Sequence, residues 1–199
     1  MPAWAEGAPG AVGRISYGNP PTPGASICTG TLVTPDLVLT AGHCVRDAAG
    51  HPASILFQAG LEGGKAPAEA RGQAVILAKG EGLAADVALI RLDHPLPDTV
   101  IPLPLGEPAT PTLSRYAYRR DAPESPERED LCLILNREGG VMRLGCSAVS
   151  GNSGAAVLTG ADGGWQIAGV MVARVQVGFG SVAVAVPEDL AEVISGASD

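Results

Sequence analysis

The stretch "CSAVSGNSGAAVL", residues 146–158, places Ser153 between small residues just before a run that reads as a buried strand. Two chemistries fit. One is a tight glycine turn in which the serine fills a polar position. The other is a nucleophile whose hydroxyl is exposed while backbone N–H groups point at a developing negative charge. The motif alone does not decide between them, so a base and a group to orient it are needed elsewhere in the chain. Only three histidines are available, His43, His51 and His94. His51 and His94 each precede a proline in loop-like sequence. His43 lies in "LVLTAGHCV", directly after an apolar run and beside Cys44. A general base needs a fixed backbone, because proton transfer requires heavy-atom distances of about 2.6–3.2 Å. The third group is Asp86 in "AADVALIRL". A carboxylate opening a hydrophobic strand costs several kcal/mol unless it has partners, roughly speaking. An imidazole N–H would be such a partner, fixing its tautomer and stabilising the imidazolium.

The elements that must hold these groups read as strands. "ASICTGTLVT" (25–34), "LVLTAG" (37–42), "SILFQA" (54–59), "QAVILA" (73–78) and "DVALIRL" (86–92) have strand length and β-branched content. "GRISYG" (13–18) reads as a first strand before them. The proline-spaced stretch 93–112 cannot be regular helix and suits a crossing between two halves. Beyond it come "RYAYR" (115–119), "LCLIL" (131–135), "VMRLGC" (141–146), "AAVL" (155–158), "WQIAGVMVARV" (165–175) and "SVAVAV" (181–186). The charged segment 121–130 reads as an exposed loop. "PEDLAEVISG", with a proline at its start, acids in its first turn and a closing glycine, predicts a short C-terminal helix. The pattern is all-β, two packed barrels of similar size over 1–100 and 101–199, with no sequence repeat between them.

Composition agrees with that class. The chain has 199 residues, 46% hydrophobic and 17% charged, with 27 glycines and 17 prolines dispersed along it. The net charge is −8, and no basic cluster could track a phosphate backbone, so nucleic acid is excluded as a partner. No apolar run reaches the roughly 18 residues of a membrane span. The N-terminus "MPAWAEGAPG" lacks the basic and apolar regions of a signal peptide.

Four cysteines, Cys28, Cys44, Cys132 and Cys146, lack metal-type spacing. They allow three pairings, of which the sequential one is simplest. Each bridge would contribute roughly 3 kcal/mol in the chain-entropy model and would imply a secreted or periplasmic location. Four buried thiols in a reducing compartment are the alternative.

Together "TAGHC", "DVALI" and "GNSGA" resemble the signatures of the chymotrypsin/trypsin-like serine peptidases, in the order His, Asp, Ser. The spacings, 43 residues and then 67, suit a compact bacterial member. The resemblance runs from about Cys28 to the C-terminus. It implies two six-stranded antiparallel β-barrels with an active site between them. It also implies Ser153 as nucleophile, His43 as general base and Asp86 as orienting carboxylate. The backbone N–H groups of Gly151 and Ser153 would form the oxyanion hole. The reaction implied is hydrolysis of a protein or peptide substrate through an acyl-enzyme, by a monomer needing no cofactor.

Several positions depart from the family pattern. Asn152 stands where an aspartate usually pairs with a freshly cut N-terminal ammonium, and resembles the G-N-S-G form of glutamyl-endopeptidase-like and HtrA-like members. That argues against activation at Arg14–Ile15. Ala155 replaces a glycine, and no serine stands near Val172 to help hold the aspartate. Ser147, six residues before the nucleophile, disfavours lysine or arginine as the preferred side chain. Met171 and Arg174 should line the pocket wall, and small apolar, larger apolar and acidic preferences remain open. A protease-like binding module with little turnover is the alternative function, favoured by the altered "VMVARV" strand. An α/β-hydrolase esterase fails, because its histidine would come last in the chain. Glu124, Glu127, Glu129 and Asp130 could reach a surface calcium, but a solvated charged face is the simpler reading.

Overall fold

The computed structural model describes residues 9–18, 26–161, 164–175 and 179–197. Six strands close the first barrel: β1 (Val12–Tyr17), β2 (Cys28–Thr34), β3 (Leu37–Ala41), β4 (Ile55–Ala59), β5 (Ala68–Leu77) and β6 (Val87–Leu92). Six more close the second: β7 (Thr112–Arg119), β8 (Ala122–Glu138), β9 (Val141–Leu144), β10 (Ala156–Ala161), β11 (Gly164–Arg174) and β12 (Ser181–Val184). The strand order is β1-β2-β3-β6-β5-β4 in one barrel and β7-β8-β9-β12-β11-β10 in the other. The two halves thus share one topology although their sequences show no repeat. This is the chymotrypsin-like fold expected from the sequence. Closure removes every sheet edge and so leaves no open ladder for another chain to extend.

Burial explains the residue choice. Every residue of β2 and β3 is buried, since β2 and β3 have the barrel interior on one side and neighbouring structure on the other. Such strands lose the apolar–polar alternation and read as continuous Val/Leu/Thr runs. One core cluster joins the two halves: Leu32, Leu39 and Ile90 of the first barrel belong to the same cluster as Tyr118, Leu158 and Val170 of the second. A smaller cluster within the second barrel surrounds Cys132, Cys146 and Met171.

Two expectations are corrected. Residues 122–130 are strand, not loop: β8 runs from Ala122 to Glu138 and pairs with β7 from Arg119↔Ala122 to Thr112↔Leu133. Charge concealed it. Glu127 and Glu129 face arginines of the neighbouring strand, which cross-strand pairing rewards and hydrophobic periodicity cannot register. Likewise β5 begins at Ala68, ahead of the 73–78 run expected as strand.

The proline-spaced segment 93–111 crosses between the barrels in extended form. Leu103 N–H donates to Leu32 O on the first barrel, and Gly106 N–H donates to Ile167 O on the second. A short helix α1 (Gly42–Val45) follows β3, and α2 (Glu188–Gly196) closes the chain. Asp189 of α2 accepts the Lys79 N–H at 2.9 Å, tying the C-terminal helix to the first barrel. Among the described residues no helix is long and apolar enough to cross a membrane.

The cysteines pair sequentially, Cys28 with Cys44 and Cys132 with Cys146. Disulfides and fold are compatible with a secreted protein. The expectation about a signal peptide lies largely in residues 1–8, outside the described residues.

Candidate active site

His43 sits on α1 at the end of β3, and Asp86 follows the short turn Leu83–Ala85 that leads into β6. β3 and β6 are paired, with Ala41 opposite Val87, so the sheet register itself delivers the two residues to one place. His43 Nδ1 lies 2.7 Å from Asp86 Oδ2, and the His43 backbone N–H donates to Asp86 Oδ1 at 2.7 Å. The Gly42 N–H donates to the Asp86 carbonyl at 2.9 Å. Both carboxylate oxygens are therefore engaged by the same residue, which fixes the ring as well as its proton. With Nδ1 bonded to the carboxylate, Nε2 is the ring nitrogen left to exchange a proton. The Asp86 side chain is 15% exposed and that of His43 44%, a carboxylate inside and an imidazole at the surface.

The Cys28–Cys44 bridge anchors the residue next to His43 to β2. Tyr17 adds a second anchor, its hydroxyl donating to the Cys44 carbonyl at 2.6 Å. Arg46 Nη2 stands 3.9 Å from Asp86 Oδ1. Where the family pattern has a serine near the aspartate, Val172 is buried and apolar. The contacts from α1 are what hold Asp86 here.

Ser153 comes from the second barrel and is tied to the first. Thr29 N–H on β2 donates to the Ser153 carbonyl at 2.9 Å, and Gly154 N–H donates to Met171 O at 2.8 Å. Gly154 has φ +84°, and a Cβ there would lie 2.2 Å from Thr29 O and 3.0 Å from the Ala41 N. Only glycine permits that conformation and that approach, which seats the serine turn against the end of the strand carrying His43.

Gly151, φ +103°, makes the preceding turn. Its carbonyl accepts from Thr29 Oγ1 at 2.9 Å. Among the described residues the N–H groups of Gly151 and Ser153 find no acceptor, although Gly151 is buried. Unpaired buried backbone donors are uncommon and mark a place where an acceptor fits. Asn152, 1% exposed, locks the turn from inside. Its Oδ1 accepts from Val149 N–H at 2.9 Å and its Nδ2 donates to Tyr118 O at 3.0 Å. Both roles need an amide, a donor and an acceptor on one planar group.

A cleft of about 390 Å³ opens beside Ser153, with Val149, Ser150, Met171, Ala173 and Arg174 among its walls. Ser147 lies in an adjoining cavity of about 740 Å³ that shares Ala148, Ala173 and Arg174 with the first. Beneath both lies a residue sequence reasoning missed. Arg115 on β7 is 2% exposed. Its Nη1 donates to Ser147 O at 2.6 Å and approaches Met171 Sδ at 3.5 Å, while Nη2 pairs with Glu129. Burial pulls this guanidinium below its ordinary range, and Glu129 opposes that shift. Thr29 and Tyr118 were missed too. A fully buried threonine in an apolar strand is the available signal, because its hydroxyl must find partners.

Acids of the 121–130 segment have arginine partners. Glu129 pairs with Arg115, Glu127 with Arg119 and Asp130 with Arg128. Glu129 also clusters with Cys132 and Cys146, but both sulfurs are consumed in their disulfide.

The chain covers 99% of its length, and 94% of the other, in superposition on a Glu endopeptidase solved with MPD, at TM-score 0.78 and 22% identity. A thermostable serine protease from an extremophilic microorganism superposes at 0.75 with 15% identity, covering 96% of this chain and 97% of that one. An inactivated protease paralogue of the scabies mite also superposes at 0.75, with 15% identity over 94% and 93%. These likenesses concern the fold. No curated protein matches the sequence. The profile of the trypsin family matches residues 7–129, more than half of the chain, and the protein belongs to that family.

Proposed function

We propose that the protein is a serine endopeptidase that cleaves peptide bonds through an acyl-enzyme. The observation that carries this is the His43 Nδ1–Asp86 Oδ2 bond of 2.7 Å, set where the serine turn docks on the first barrel. His43 Nε2 takes the Ser153 hydroxyl proton as Oγ attacks the substrate carbonyl carbon, forming the C–O bond. The carbonyl π electrons move to oxygen, and the Gly151 and Ser153 N–H groups receive that oxyanion. The imidazolium then gives its proton to the leaving amine as the C–N bond breaks. Water enters by the reverse sequence and releases the acid. Asp86 stays ionised and stabilises the imidazolium.

A fold that binds without turnover is the second reading, favoured by the apolar Val172 where the family pattern has a serine. A fluorophosphonate separates the two, since it needs an activated serine and no knowledge of substrate. Labelling should map to Ser153, vanish in S153A and fall by about a hundredfold or more in H43A. A folded, oxidised protein that takes no label would establish the binding reading.

A further inference from the structure

We infer that the cleft beside Ser153 selects an acidic side chain, glutamate or aspartate, on the residue whose carbonyl is attacked, and that Arg174 is the specificity-determining residue. The inference rests on the peptidase reading above. Arg174 ends β11 and is exposed. It lines the cleft that Ser153 lines and also the adjoining cavity. Among the described residues its guanidinium has neither a carboxylate partner nor any hydrogen bond, whereas Arg91, Arg115, Arg119, Arg128 and Arg137 all pair with acids.

Charge balance around the pocket then decides the sign. Among the described residues no carboxylate lines either cavity. Arg115 lies beneath the pocket, but Glu129 neutralises it. Among the described residues the pocket is left with one net positive charge, on a chain whose formal charge is −8. A lysyl or arginyl side chain would meet that cation unscreened by any acid. An apolar one would desolvate the guanidinium without replacing its water. A carboxylate can accept a two-point hydrogen bond from it, the geometry for which arginine is suited. The Ser150 and Ser147 hydroxyls, one in each cavity, add neutral donors.

Four peptides of one sequence, ending in glutamate, glutamine, leucine or lysine before a fluorogenic amide, test this. The glutamyl substrate should exceed the glutaminyl one in kcat/KM by about ten- to a hundredfold. That ratio should collapse towards one in R174Q, survive in part in R174K, and give way to lysyl preference in R174E. Ratios within one variant cancel any general loss of activity. A glutamyl-to-glutaminyl ratio near one in the parent, or unchanged in R174Q, overturns the assignment. Fluorophosphonate labelling on the same samples separates the two layers. A labelled Ser153 with neutral preference overturns the acidic pocket alone. No label and no turnover of any peptide overturn both readings.

Discussion

Thr29 Oγ1, on the first barrel, donates to the carbonyl of Gly151 on the second at 2.9 Å, and accepts from Tyr118 N–H at 3.0 Å. One buried hydroxyl thereby joins β2 both to the serine turn and to β7. Its backbone takes part as well, with N–H to Ser153 O and the carbonyl accepting from Thr40 Oγ1 at 2.9 Å. The site between the barrels is therefore a continuous hydrogen-bonded seam.

Thr29→Val keeps shape and β-propensity but removes the hydroxyl. It leaves a buried N–H and a buried C=O short of a partner, at a cost of about 1–3 kcal/mol each. Denaturant unfolding should show a midpoint shift of that size. Fluorophosphonate labelling of Ser153 should slow even where the variant is fully folded, because the Gly151 turn loses its tether. A destabilised variant with parental labelling would show that the seam supports the fold and not the nucleophile.

How much of this was legible in the sequence follows from which forces hydrophobic pattern and spacing can report. The most buried strands of the first barrel announce themselves, since "LVLTAG" and "DVALIRL" owe their strand character to burial. His43 and Asp86 could be singled out because a histidine beside a cysteine and an acid before an apolar strand are locally expensive. The first half of β8 was hidden because its stability comes from pairing across strands, with partners such as Arg115 opposite Glu129 far apart in sequence. Arg115 was hidden for a related reason: nothing local distinguishes a buried arginine from the surface ones around it. Arg174 was visible as a charge, but its lack of a partner is a property of the folded neighbourhood.

Tyr17 makes the imidazole-bearing segment sensitive to alkali. Burial pushes its phenol up to about 12, from an ordinary value of 10.0. The folded state therefore keeps a proton that the unfolded chain releases, and stability present below about pH 10 is lost as pH rises towards 12. Within that window the residue should cost about 1.4 kcal/mol per pH unit. Burial raises the Tyr118 phenol in the same direction, so the parent should fall steeply. Tyr17→Phe gives up the bond to the Cys44 carbonyl, worth about 1 kcal/mol at neutral pH, and should lose stability less steeply in alkali. Denaturant midpoints measured across the alkaline range check this. An equally steep fall in the variant would count against Tyr17 as the responsible group.

Asn152 offers the sharpest test of how the serine turn is held. In Asn152→Asp the Nδ2 donor to Tyr118 O is lost, and an ionised carboxylate would face that carbonyl in a site 1% exposed. Burial without a cation raises the aspartate pKa in the folded state above its unfolded value of about 3.9. Below about pH 4 both states are protonated, the acid can donate to Tyr118 O, and the variant should approach the parent in stability. As pH rises from there, the unfolded chain ionises first, and the variant's deficit should grow by about 1.4 kcal/mol per unit until the folded acid ionises too. The deficit in unfolding free energy at neutral pH should therefore be several kcal/mol, about what an unpaired buried carboxylate costs. Labelling of Ser153 should fall with it. Parental stability for Asn152→Asp at neutral pH would mean that a cation reaches this position, and that the amide's two hydrogen bonds are not what keeps the turn in place.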